Sequence, residues 1–235
     1  MFYSCKEEKD CCVNPVTNVT INFTHNWDGT PVSKTNFNQF IFTNAHGEKV
    51  SIEKLRYLIS NVSLNSSKNY QLIDVTENTG TSIVFPNLTT ETYSLSFTFG
   101  FNDVDNKDGV YQDLNSASFN VPAMLGGGYH FMQFDGKYKD VNNQDANFNY
   151  HAIRAVDASD ASNLVFQDTS FTVNLGEINI TNNTTVEIKM NIAEWFKNPN
   201  TWNLNQLNTV LMPNFEAQKM INANGKSVFS LGKVN

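Results

Sequence analysis

Two of the four histidines in the chain, His130 and His151, sit in strand-like segments crowded with aromatic residues. The first lies in Gly126-Gly127-Gly128-Tyr129-His130-Phe131-Met132-Gln133-Phe134, and the second closes Phe148-Asn149-Tyr150-His151. Side chains alternate across a strand. A strand through this run therefore puts His130, Met132 and Phe134 on one face, with Tyr129, Phe131 and Gln133 on the other. An imidazole and a thioether together, with a second imidazole brought in by a neighbouring strand, form a donor set suited to copper(I), a soft ion that takes such ligands at low coordination. The competing reading makes His130 a core histidine, stacked among Tyr129, Phe131 and Phe134 with its nitrogens hydrogen-bonded. Strand pairing alone can join two histidines 21 positions apart.

Other residues invite weaker chemistry. Asp103-Val104-Asp105-Asn106-Lys107-Asp108-Gly109 is oxygen-rich like a calcium loop, with Asp113 as a further candidate ligand. It departs from the helix-flanked calcium pattern, because its glycine is seventh rather than sixth and no glutamate closes it. A solvated turn is the simpler reading. His25, after a strand-like run, could face a site, whereas His46 in Ala45-His46-Gly47 reads as a surface residue. No nucleophile elbow or comparable context groups a serine, histidine and aspartate, so an enzyme is not expected.

The elements that must position these residues are mainly strands. Val19, Ile21 and Phe23 alternate with polar residues, as do Tyr93, Leu95, Phe97, Phe99 and Phe101. The same alternation recurs in Phe171, Val173 and Leu175, and again in Val186, Ile188, Met190 and Ile192. Asn182-Asn183 is a plausible hairpin turn between the last two. Val50 to Leu64 reads as a helical turn leading into a strand, and Glu194–Lys197 and Met212–Asn222 as short helices. The spacing predicts an all-β, antiparallel β-sandwich with short helical excursions near the C-terminus. It forms a single domain over 16–235 after a tether at 1–15.

Composition narrows the partners. A formal charge of -7 without any Lys/Arg cluster excludes a nucleic-acid partner. No apolar run approaches the roughly 18 residues that span a bilayer. Ser4-Cys5 reads like the end of a bacterial lipoprotein signal, which makes Cys5 the candidate lipidated residue and an N-terminal lipid the sole membrane contact. A thiolate metal site at Cys5, Cys11 and Cys12 is the alternative. Adjacent cysteines pair with each other only in a strained bond.

Read in order, four stretches resemble the MbnP-like family, bacterial periplasmic proteins named after a methanobactin-associated member. They are Val19–Phe23 with the Trp27-Asp28-Gly29-Thr30-Pro31 turn, and Thr43–Gly47 with Leu55–Val62. The third is Gly127–Met132 with Gly136 and Phe148–His151. The last is Asn191–Phe196 with the closing Asn224–Gly232. The resemblance implies a β-rich exported protein that handles copper, and His130 and His151 align with its histidine-bearing positions as candidate ligands; the residue types add Met132 as a soft third one. The resemblance also implies a partner, a di-haem enzyme related to cytochrome c peroxidases and MauG, which oxidises a tryptophan of its MbnP-type substrate to kynurenine. Here Val121-Pro122-Ala123-Met124 stands where a tryptophan is expected before the glycine run, and no tryptophan lies between Trp27 and Trp195. Trp195 is then the first candidate for oxidation, ahead of Trp27 and Trp202.

The expectation is an exported copper-binding protein, periplasmic or an outer-membrane lipoprotein, without an organic cofactor. The alternative is a cell-envelope carbohydrate- or protein-binding module, with Trp27 or Trp202 stacking on a sugar. A third possibility is a subunit of a larger envelope assembly.

Overall fold

The computed structural model describes residues 15–64, 70–160 and 162–235. Cys5, Cys11, Cys12 and most of the expected tether lie outside the described residues. The chain forms β1 (Val16–Trp27), β2 (Thr30–Pro31), β3 (Phe42–Thr43), β4 (Lys49–Ser60), β5 (Tyr70–Asp74), β6 (Ser82–Thr89) and β7 (Thr92–Phe99). After a short helix, α1 (Gln112–Ser116), come β8 (Met132–Lys139), β9 (Asp145–Ala152), β10 (Ala155–Asp157) and β11 (Val165–Gln167). The chain ends with β12 (Phe171–Asn179), β13 (Thr185–Asn191), α2 (Phe215–Gly225) and β14 (Phe229–Val234).

The strands build an all-β sandwich. One main sheet has the order β14-β13-β1-β2, with β6 also on β1; the other runs β12-β7-β4-β8-β9, with β3 and β5 on β4, and β10 and β11 form a separate two-stranded antiparallel sheet. Alternation in the sequence decides which face is inside. Val19, Ile21, Phe23, His25 and Trp27 of β1 are buried, while the residues between them reach solvent. Phe23 meets Tyr57 and Phe97 edge-on at 6.4 and 5.9 Å between ring centres, so aromatic rings from facing sheets fill the gap.

The smaller sheet leaves the β8–β9 half of the larger one uncovered. The C-terminal excursion closes that half. A 3-10 turn at Ile192–Phe196 sets Phe196 against Phe134, Phe148 and Tyr150, and Trp202 stacks edge-on to Tyr150 at 4.6 Å. The two short helices expected near the C-terminus are this turn and α2.

Three local expectations change. Residues 49–60 are strand throughout, because β4 is flanked by β8 and by β5 and β7, and ladder pairing on both sides overrides a weak helical period. Asn182-Asn183 does not close a hairpin: β12 pairs with β7 in one sheet, and β13 pairs with β1 in the other. The β1–β13 pairing is parallel, the one exception to antiparallel neighbours among the named strands.

Candidate metal centre

The His130 and His151 rings stand 5.2 Å apart between centres and meet edge to face. Both lie on the outer face of the larger sheet, under the segment that follows α1. Strand register places His151. Arg56, Gln133 and His151 are directly opposite one another across β4, β8 and β9, so they share a face. Gln218 of α2 donates from Nε2 to the His151 carbonyl at 2.9 Å, and Ile153 N–H donates to Gln218 Oε1 at 2.9 Å, which fixes the end of β9.

His130 reaches that face by a different route. Its N–H donates to the Phe119 carbonyl at 2.9 Å, and the next residue, Phe131, pairs instead with Ala152 and Leu58. The chain thus changes partners between 130 and 131, before β8 begins, and strict alternation does not extend through His130. The expected grouping of His130 with Met132 therefore dissolves. Met132 pairs with Ala152, one position out of phase with the Gln133–His151 pair, and is wholly buried in the apolar core. The structure brings the two imidazoles together and puts the thioether on the opposite face.

Each ring is anchored through one nitrogen. His130 Nδ1 lies 3.0 Å from the Phe119 carbonyl, an acceptor only, so Nδ1 carries the proton. His151 Nε2 lies 2.7 Å from Asp135 Oδ1. Burial acts to raise the Asp135 carboxyl, but hydrogen bonds from His151 and Asn149, with the Lys54 ammonium nearby, outweigh it and hold the pKa at about 2. The carboxylate is ionised, so His151 Nε2 is the donor. That leaves His130 Nε2 and His151 Nδ1. Among the described residues five buried side-chain atoms lack a hydrogen-bond partner, and these two nitrogens are among them. Burying such a group unpaired is costly. Burial also lowers His130 to about 4 against the opposing pull of the Phe119 carbonyl, so the ring is neutral at neutral pH.

Two imidazole nitrogens with free lone pairs, each ring oriented by an oxygen on its far side, fit a metal ion in the histidine-carboxylate manner. Among the described residues no group of three or more His, Cys, Asp or Glu is placed to hold a metal ion. The donor set is thus two nitrogens, which suits low-coordinate copper(I) better than a closed four-ligand zinc site.

The glycine run serves this geometry. Asn106 Oδ1 accepts from Tyr129 N–H at 2.8 Å, and Asp108 Oδ1 from Gly128 N–H at 3.1 Å. The acidic loop at 103–109 thus clamps the backbone leading into His130. Gly128 has φ +83°, and a Cβ there would sit 2.6 Å from Asn106 Oδ1, so the close approach requires glycine.

The remaining candidates scatter. His25 is buried on the inner face of β1, with Nε2 3.1 Å from the Tyr57 hydroxyl, beside a cavity of about 500 Å³. His46 is exposed and pairs with Glu48 at 2.8 Å. Trp195 lies in the core against Phe99 and Tyr150, its indole N–H without a partner, on the side of the sheet opposite the histidines. Trp27 and Trp202 are also buried, so no indole presents a flat face for a sugar. Sequence reasoning missed Phe119, Asp135, Gln133 and Arg56, whose roles depend on register.

A β-sandwich protein with an aromatic core and a histidine pair on one outer sheet face is the class that fold and site define. The chain belongs to the MbnP family, whose model matches residues 16–213. Among solved structures it is similar to MbnP from Methylosinus trichosporium, with 11% identity, 74% of this chain and 76% of that chain covered, and a TM-score of 0.46. No curated protein matches.

Proposed function

We propose that the protein is an exported, non-enzymatic copper-binding protein whose site is the His130–His151 pair. One observation carries this reading: two buried imidazole nitrogens without hydrogen-bond partners, on rings 5.2 Å apart whose other nitrogens are anchored. His130 and His151 would hold the ion, Phe119 and Asp135 would keep the rings in their tautomers, and Met132 would stay in the core. Copper, when bound, would be cargo held for storage or transfer.

Family membership supports a methanobactin-associated setting. On this reading the protein works in the periplasm or at the outer membrane, tethered through Cys5, and a di-haem cytochrome c peroxidase-like enzyme is its partner. Trp195 remains the candidate for oxidation; its buried indole would have to become accessible to an oxidising centre through other rings. Metal analysis of the full chain from copper-supplemented cells tests the site, with about one copper per chain expected and none contradicting it. Intact mass after co-expression with a di-haem partner tests the modification, and an unchanged mass would remove that part of the proposal.

A further inference from the structure

The positive charge beside the histidine pair is fixed in place. Arg56 Nε donates to Gln133 Oε1 at 2.7 Å, in the same cross-strand row as His151. Arg56 Nη2 and Gln133 Nε2 both donate to the Ser118 carbonyl, at 3.5 and 3.3 Å, and the guanidinium carbon lies 5.4 Å from the centre of the Phe119 ring. The carbonyl of Phe119 is the group that orients His130. Arg56 therefore grips the segment that sets the His130 tautomer, through the planar fork that distinguishes arginine from lysine.

We propose that Arg56 is a positioning residue that also selects the charge of the bound metal, favouring a monovalent over a divalent ion at the His130–His151 pair. This rests on the copper reading above and names its oxidation-state preference. Neither imidazole brings a negative charge. The one carboxylate at the site, Asp135, is shared between His151 at 2.7 Å and the Lys54 ammonium at 3.4 Å. Two cations and one anion thus surround the pair, and Arg56 is the cation without a carboxylate of its own in this group. A second positive charge on the metal is opposed by the guanidinium across a partly buried path, and a neighbouring unit charge at an effective dielectric near 20 changes an equilibrium on the order of tenfold.

The test is a comparison of copper(I) and zinc(II) affinities for the full chain in the wild type, Arg56→Gln, Arg56→Lys and Gln133→Glu. Zinc(II) serves as the divalent probe that cannot be reduced. Arg56→Gln should raise the zinc-to-copper affinity ratio about tenfold. Gln133→Glu, which sets a carboxylate against the guanidinium, should raise it similarly and keeps the test alive if Arg56→Gln does not fold. Arg56→Lys should weaken both ions by losing the fork while leaving the ratio near wild type. An unchanged ratio in the folded Gln and Glu variants, or a lysine variant that shifts as glutamine does, would overturn the charge-selection role. A wild type that binds no copper(I) would instead bring down the copper reading itself.

Discussion

His130 and His151 meet edge to face at 5.2 Å, one anchored by a backbone carbonyl and the other by a carboxylate, and each keeps one buried nitrogen unbonded. The unbonded pair is what separates this arrangement from a satisfied core histidine.

Asp135 orients His151 at 2.7 Å and keeps its proton on Nε2. Asp135→Asn removes the charge while preserving shape, and copper(I) affinity should fall roughly 10- to 100-fold with little change in melting temperature. Titration against a competing copper(I) chelator, alongside thermal unfolding, reads both. An unaltered affinity would show that the carboxylate does not support the ligand.

Met132 separates a sequence expectation from the structure. Met132→Leu conserves volume in the core and should cost less than about 1.5 kcal/mol of stability while leaving copper(I) affinity unchanged. A marked loss of affinity in a variant of normal stability would return the thioether to the ligand set.

Gly128 tests the backbone clamp. Gly128→Ala meets both a positive φ and Asn106 Oδ1 at 2.6 Å, whereas Gly109, at φ +70°, has nothing within 4 Å of its would-be Cβ. Gly128→Ala should destabilise by about 2–3 kcal/mol and weaken copper binding, and Gly109→Ala by only about 1 kcal/mol with binding intact. Equal effects in urea unfolding would mean that backbone strain, not the Asn106 contact, is what matters.

His25 gives a pH signature independent of the metal. Burial lowers its pKa from 6.5 to about 4, so the unfolded chain takes up a proton that the folded chain refuses between those values. Stability at this residue is therefore full above pH 6.5 and is lost as pH falls towards 4, by up to ~3 kcal/mol. His25→Phe should flatten that part of the acid profile of urea unfolding. A profile with the same slope through this window in the variant would assign the loss to other groups.

Much of the fold was legible because apolar side chains alternate so cleanly in β1, β7 and β13. Sheet membership was not: nothing local in Asn182-Asn183 distinguishes a hairpin from a crossing between sheets, and the parallel β1–β13 pair joins residues more than 160 positions apart. The histidines stood out by type and aromatic company; the β8–β9 register places His151, and pairing with Phe119 brings His130 beside it. Alternation failed at Met132 because the backbone changes partners between His130 and Phe131. Asp135 and Arg56 carry no local signal in the sequence, because their places beside the histidines depend on the register of β4, β8 and β9. The acidic loop resembled an ion site, yet Asn106 and Asp108 spend their oxygens on the backbone of Gly128 and Tyr129.

The most direct measurement is a copper(I) titration of the full chain, wild type beside His130→Ala and His151→Ala, with circular dichroism confirming that all three are folded. The account predicts one submicromolar site in the wild type, a binding free energy more favourable than about −8 kcal/mol, and its loss in each single variant. Wild-type binding that survives either substitution, or a folded wild type that binds no copper(I), would contradict it.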